Sequence, residues 1–184
     1  MRRSTHAAIA AALKLRRTDP QFAKRVLRVH AIVPKGVYER CGTPFALGDE
    51  PRLSAQFSIP FTMALALRCG PPTLRDFAPA AVVEASSRDA ELIRHIEVEA
   101  DRGGSSDLLT PVAATFDTDE HKISVRVDHV PGGPEAPPTA DDQIGKLAGA
   151  AGEHLDKSEQ AALLAFCTLK ATDIARLTKR LSEL

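Results

Sequence analysis

The sequence predicts an α+β fold, in which helices pack on one face of a largely antiparallel sheet of about four strands. Apolar and polar residues alternate in several short segments, which is typical of half-buried strands. Two of these segments flank a short polar connector, as the strands of an antiparallel hairpin do. Segments with apolar residues at helical spacing lie before, between and after the strands. The 184 residues are predicted to form a single domain, 1–184.

The first two elements are predicted to be a helix and a strand. A helix is expected over about residues 4–17, with basic residues in its last turn, and Asp19-Pro20 ends it. Residues 25–33 alternate and are predicted to be a strand, whose inward face holds Leu27, Val29, Ala31 and Val33. The irregular segment 34–51 is expected to contain a short helical turn near Tyr38.

An apolar helix follows, in the segment SAQFSIPFTMALALRCG at 54–70. Proline belongs in the first turn of a helix, so Pro60 predicts a helix that starts there, with Ser58 as its N-cap. Apolar residues occupy more than one side, which requires burial on most of the circumference.

The middle of the chain is predicted to add three more strands. A helical or irregular stretch over 74–92 leads to a strand in which Ile96, Val98 and Ala100 face inward. Residues 112–116 and 123–127 then alternate around a polar turn and form the predicted hairpin.

A stiff linker and C-terminal helices complete the predicted layout. Prolines and glycines dominate 131–138, and Thr139-x-x-Asp142 resembles a capping box. Apolar residues at helical spacing predict helices after it, through Cys167 and again toward Leu184.

Composition excludes several classes of function. Lys plus Arg and Asp plus Glu each total 24, and the aromatic fraction is 4% without tryptophan, which argues against nucleic-acid binding. No run of about 18 apolar residues exists, so no membrane partner is expected. Three cysteines without a CxxC pair suit a reducing compartment, and the predicted location is cytoplasmic.

No metal or cofactor site is predicted. His95, Glu97 and Glu99 project from one strand face, but three residues of a single strand rarely converge on one ion. A solvated face is the expected role of these side chains.

Five landmarks follow one another in order: a helix start "THAAI", an "FSIP" helix with "ALRCG", a hairpin, a Gly/Pro stretch and a "GKL" helix. Together they resemble the C-terminal domain of the MmgE/PrpD family, from Thr5 to about Lys170. That family includes 2-methylcitrate dehydratase, cis-aconitate decarboxylase and iminodisuccinate epimerase. The resemblance implies chemistry without metal or cofactor, in which a base removes a proton next to a carboxylate. It also implies that the family's larger helical domain is absent from this chain.

The resemblance also implies site residues. His6 matches a histidine that points into the interdomain active site, and is the catalytic candidate. Ala10 stands where the family usually has an acidic residue, and Phe61 where it often has a tyrosine. The candidate substrate-binding residues are Arg3, Ser58, Phe61 and Lys146.

Three hypotheses follow from the resemblance. The first is a lyase domain of the 2-methylcitrate dehydratase type, inactive alone or completed by a separately encoded helical domain, with a small carboxylate as substrate. The second is an assembly or binding module that forms homo-oligomers through the apolar surface left by the helical domain. The third is a gene remnant. Two alternatives remain open for the helix at 58–69. Either one of its faces packs on a partner domain, or the helix is wholly internal to this domain.

Overall fold

The computed structural model describes residues 3–103, 111–139, 142, 143, 145, 146, 156 and 158. The chain divides into two compact units, residues 1–137 and 138–184. The division falls at the end of the predicted Pro/Gly linker. Within the described part, no helix is both long enough and apolar enough to cross a membrane.

The first unit contains seven described helices and four described strands. The helices are α1 Arg3–Thr18, α2 Pro20–Arg25, α3 Lys35–Cys41, α4 Pro51–Gln56, α5 Ile59–Cys69, α6 Pro79–Arg88 and α7 Ala90–Arg94. A 3₁₀ turn, Arg75–Phe77, precedes α6. The strands are β1 Arg28–Val33, β2 Ile96–Ala100, β3 Val112–Asp117 and β4 Lys122–Val127.

The strands form one sheet in the order β2-β1-β3-β4. β1 pairs in parallel with β2 and antiparallel with β3, while β3 and β4 form the predicted hairpin. Val29 of β1 therefore lies between Ile96 and Phe116. The α+β class and the mostly antiparallel sheet are confirmed. Alternation alone does not distinguish the parallel β1–β2 pair from an antiparallel one.

The two faces of the sheet differ in polarity. The inward face is apolar, and α1, α3, α5 and α7 all contact the sheet. The outward face carries polar pairs, such as His30 Nε2 with Glu99 Oε2 at 3.2 Å and Lys122 Nζ with Asp117 Oδ2 at 2.8 Å. This separation is what the sequence alternation predicts for a half-buried sheet.

The predicted start of the first strand is wrong. Residues 20–25 are helical, the strand begins at Arg28, and Leu27 is 46% exposed instead of facing the core. Asp19 explains the difference, because its carboxylate accepts a hydrogen bond from the backbone N–H of Phe22 at 2.8 Å and caps α2. Asp19-Pro20 therefore ends one helix and begins the next.

Proline marks the beginning of four described helices. Pro20, Pro51, Pro60 and Pro79 lie in the first turns of α2, α4, α5 and α6. A first-turn proline loses no intrahelical hydrogen bond, since that N–H has no partner within the helix. These residues set the helix boundaries locally.

The second unit begins with the predicted capping box. Thr139 N donates to Asp142 Oδ2 at 2.9 Å, and Asp142 N donates to Thr139 Oγ1 at 3.1 Å. This reciprocal pair is the capping-box geometry, with aspartate in place of glutamate. The helices predicted toward Cys167 and Leu184 fall almost entirely outside the described residues.

Candidate functional site

Helix α5 carries two of the candidate residues and is enclosed by its own chain. Every residue from Ile59 to Leu67 is buried, and α5 contacts α1, α2, α4, α7 and β2. Of the two alternatives for this helix, the internal one is observed. The interpretation that α5 leaves an apolar face bare for a partner domain is wrong, because its own domain covers that face.

Ser58 and Phe61 lie at the beginning of α5. The Oγ atom of Ser58 accepts a hydrogen bond from the backbone N–H of Phe61 at 3.1 Å, which confirms the predicted N-cap. Phe61 is 1% exposed, and the centroid of its ring lies 5.0 Å from that of Phe45. Both candidate residues therefore take part in the packing of the helix start.

His6 lies in the first turns of α1 and is half-buried, beside the fully buried Thr5. Helix α1 packs along α5, so the elements that bear His6, Ser58 and Phe61 are in contact. Arg3 is the first residue of α1. Lys146 is exposed and belongs to the second unit, as expected for the solvated side of its helix.

The end of α5 is held by an arginine that comes from another helix. Nη1 of Arg16, in the last turn of α1, donates to the carbonyl oxygens of Leu67 at 2.6 Å and Arg68 at 3.1 Å. These carbonyls have no partner within the helix, so the guanidinium caps it. Gly70 follows with φ of 98°, a left-handed conformation that favours glycine.

Arg68 in turn caps α2. Its guanidinium donates to the carbonyl oxygen of Lys24 and, at 3.1 Å, to that of Val26. The sequence predicts basic residues in the last turn of α1 but assigns no contact to Arg16 or Arg68. Neither periodicity nor spacing identifies partners so distant in the chain.

Asp89 joins the same region. Its side chain is 9% exposed, and its Oδ2 accepts hydrogen bonds from Arg88 Nη2 at 2.8 Å and Nε at 3.1 Å. The Nε of Arg68 lies 4.0 Å from the other carboxylate oxygen. The hydrogen bond with Asp89 raises the pKa of Arg88 above its usual value, because it stabilises the charged guanidinium.

A polar groove of about 290 Å³ opens beside these arginines. It lies where the end of α5, the start of α7 and the start of β1 meet. Its lining comprises Val26, Leu27, Arg28, Arg68, Arg88, Asp89, Glu91, Leu92 and His95. No candidate site residue predicted from the sequence lies in it.

The described residues contain no group of three His, Cys, Asp or Glu side chains placed to hold a metal ion. Glu97 and Glu99 are exposed on the outward face of the sheet, and Glu99 pairs with His30 and Arg102. These side chains form the solvated face that the sequence analysis favours.

Comparison with protein families gives one match. The family model described as the MmgE/PrpD C-terminal domain matches residues 1–169, which is most of the chain. None of the curated proteins matches this sequence.

Proposed function

We propose, from the premise that the chain belongs to the MmgE/PrpD family, that it is the C-terminal part of a cofactor-independent lyase acting on di- or tricarboxylates. The family match over residues 1–169 carries the proposal. The reaction proposed is a dehydration of the 2-methylcitrate type. A proton leaves the carbon next to a carboxylate, the C–O bond of a hydroxyl group breaks, and water is released.

His6 is the proposed proton-transfer residue of this domain. Histidine is the side chain that most often transfers protons at neutral pH. A half-buried position near the start of α1 keeps it partly accessible from the surface. Phe61 has no hydroxyl group, so proton transfer at that position is not part of the proposal.

The other candidate residues are assigned to substrate binding. Each of the cations Arg3 and Lys146 is proposed to bind a carboxylate group through charge-assisted hydrogen bonds. Ser58 and Phe61 are buried at the start of α5, so their proposed role is to support the site by fixing this helix start. The proposed setting is cytoplasmic, in keeping with three cysteines that form no CxxC pair.

A complete site needs residues from a helical domain of the family's N-terminal type. Proton abstraction next to a carboxylate requires a base, an acid for the leaving group and groups that stabilise the developing charge. Among these groups, His6 is the proposed contribution of this chain, and the family's helical domain is expected to supply the others. We therefore expect no turnover by the chain alone, and activity when such a domain is supplied.

The test is an assay of the purified chain with 2-methylcitrate, alone and mixed with a separately produced helical domain from a family enzyme. Product formation is followed through the ultraviolet absorbance of the new carbon–carbon double bond. His6→Asn should abolish activity of the mixture, whereas His121→Asn, an exposed hairpin residue, should leave it unchanged. Turnover by the chain alone would contradict its dependence on a partner, and full activity of H6N would contradict the role of His6.

We also propose that the protein forms homo-oligomers, through a surface other than that of α5. Leu53 on α4 is 52% exposed and Val83 on α6 is 44% exposed, and these two helices pack against each other. Leu47 and Leu74 are also large exposed apolar residues. Light scattering at high protein concentration tests this proposal, and a monomer there would rule it out.

A further inference from the structure

We propose that the polar groove at the end of α5 binds a small polyanion through carboxylate or phosphate groups. The proposal does not depend on the proposed lyase function. It rests on the charge of the groove, on arginine donors that remain available, and on the rigid support of those arginines.

The groove carries more positive than negative charge. Three of its lining residues, Arg28, Arg68 and Arg88, are cations, whereas Asp89 and Glu91 are its carboxylates. Asp89 is already bound by Arg88 and lies near Arg68. The charge that is left uncompensated is therefore positive.

Arg28 is the first available donor. Its side chain is exposed, and it forms no ion pair with any residue that the structure describes, although Asp117 is its neighbour across the β1–β3 pair. A guanidinium presents up to five N–H groups in a fixed planar arrangement, which matches the oxygens of a carboxylate or phosphate.

Arg88 is the second donor, and it is held in place by Asp89. Its Nε and Nη2 atoms point to the Asp89 carboxylate, while its side chain remains 48% exposed. No described residue accepts a hydrogen bond from its Nη1. A bound anion would therefore meet an oriented guanidinium, and less side-chain entropy would be lost on binding.

Arg68 supports the wall of the groove, and only some of its N–H groups remain available to a bound anion. Two of its nitrogens are committed to the carbonyls of Lys24 and Val26, so it fixes the wall that α2 and α5 share. Val26 and Leu92, both buried, contribute apolar lining. A volume of about 290 Å³ suits an ion the size of phosphate or citrate and is small for larger cofactors.

Calorimetric titration of the full chain with inorganic phosphate and with citrate, at low ionic strength and with chloride as reference, tests the proposal. Low ionic strength limits screening of the arginines. Arg28→Gln and Arg88→Gln should each weaken binding about tenfold, because each removes a charge-assisted hydrogen bond. Arg52→Gln, an exposed α4 arginine outside the groove, is the matched control and should bind like the parent protein.

Circular dichroism verifies that each variant is folded. Because Arg28 forms no ion pair with a described residue, R28Q is expected to fold and tests the site even if R88Q is unstable. Saturable binding of phosphate alone assigns a phosphate ligand, and saturable binding of citrate alone assigns a carboxylate ligand. Absence of saturable binding of both ions overturns the proposal. Unchanged affinity in R28Q, or equal weakening in R52Q, overturns it as well.

Discussion

The two ends of helix α5 are stabilised by contacts of different range. At its beginning, the Ser58 hydroxyl accepts a hydrogen bond from Phe61, three residues away. At its end, the carbonyls of Leu67 and Arg68 depend on Arg16, which lies 51 and 52 residues earlier. The beginning of the helix is therefore specified by neighbouring residues, whereas its end is specified by the tertiary fold. The first kind of contact is visible in a sequence, and the second is not.

The largest effect in this comparison is expected from truncating the buried ring at the helix start. Phe61→Ala should lower the free energy of unfolding by about 3–5 kcal/mol, because it removes a fully buried aromatic side chain and leaves a cavity against Phe45. Urea unfolding followed by circular dichroism measures it. Leu53→Ala, at a 52% exposed position, is the control and should change stability by less than about 1 kcal/mol. Equal effects of the two variants would contradict the burial of Phe61.

The next largest effect tests the long-range cap at the helix end. Arg16→Met should lower the free energy of unfolding by about 2 kcal/mol, because it leaves two carbonyls without a charged donor and keeps most of the side-chain length. Arg17→Met is the matched control, because Arg17 is exposed on the same helix and its substitution removes one positive charge but not the cap. If both variants were equally stable, Arg16 would contribute nothing beyond a surface charge.

The smallest effect is expected from the local cap. Ser58→Ala should lower the free energy of unfolding by about 1 kcal/mol through loss of the hydrogen bond to Phe61 N–H. Ser87→Ala, exposed near the end of α6, is the matched serine substitution and should be nearly neutral. A larger loss in S58A than in R16M would reverse the ranking of the two helix ends.

The parts of the fold that were predicted from the sequence depend on local chemistry. Alternation identified the strands, Pro60 and Ser58 placed the start of α5, and Thr139 with Asp142 identified a cap that the structure contains. The start of the first strand was wrong because Asp19 caps a helix there. The sequence around residues 19–27 is consistent both with a capped helix and with the start of a strand. In the structure residues 20–25 are helical, and Phe22 and Val26 are buried.

The candidate site was predictable to a smaller extent. His6, Ser58 and Phe61 came from the family resemblance, and the structure shows that their helices are in contact. The groove at the other end of α5 was not predicted, because Arg28, Arg68 and Arg88 are far apart in the sequence. Only the packing of β1, α5 and α6 brings them together.

The strand order has a consequence for synthesis on the ribosome. β1 is the first strand to be made, yet it lies between β2 and β3, whose pairing residues Ile96 and Phe116 emerge much later. Pairings over such long separations form slowly, because a long loop must close first. During translation β1 therefore keeps two open edges until residues 96–100 and 112–117 have been made.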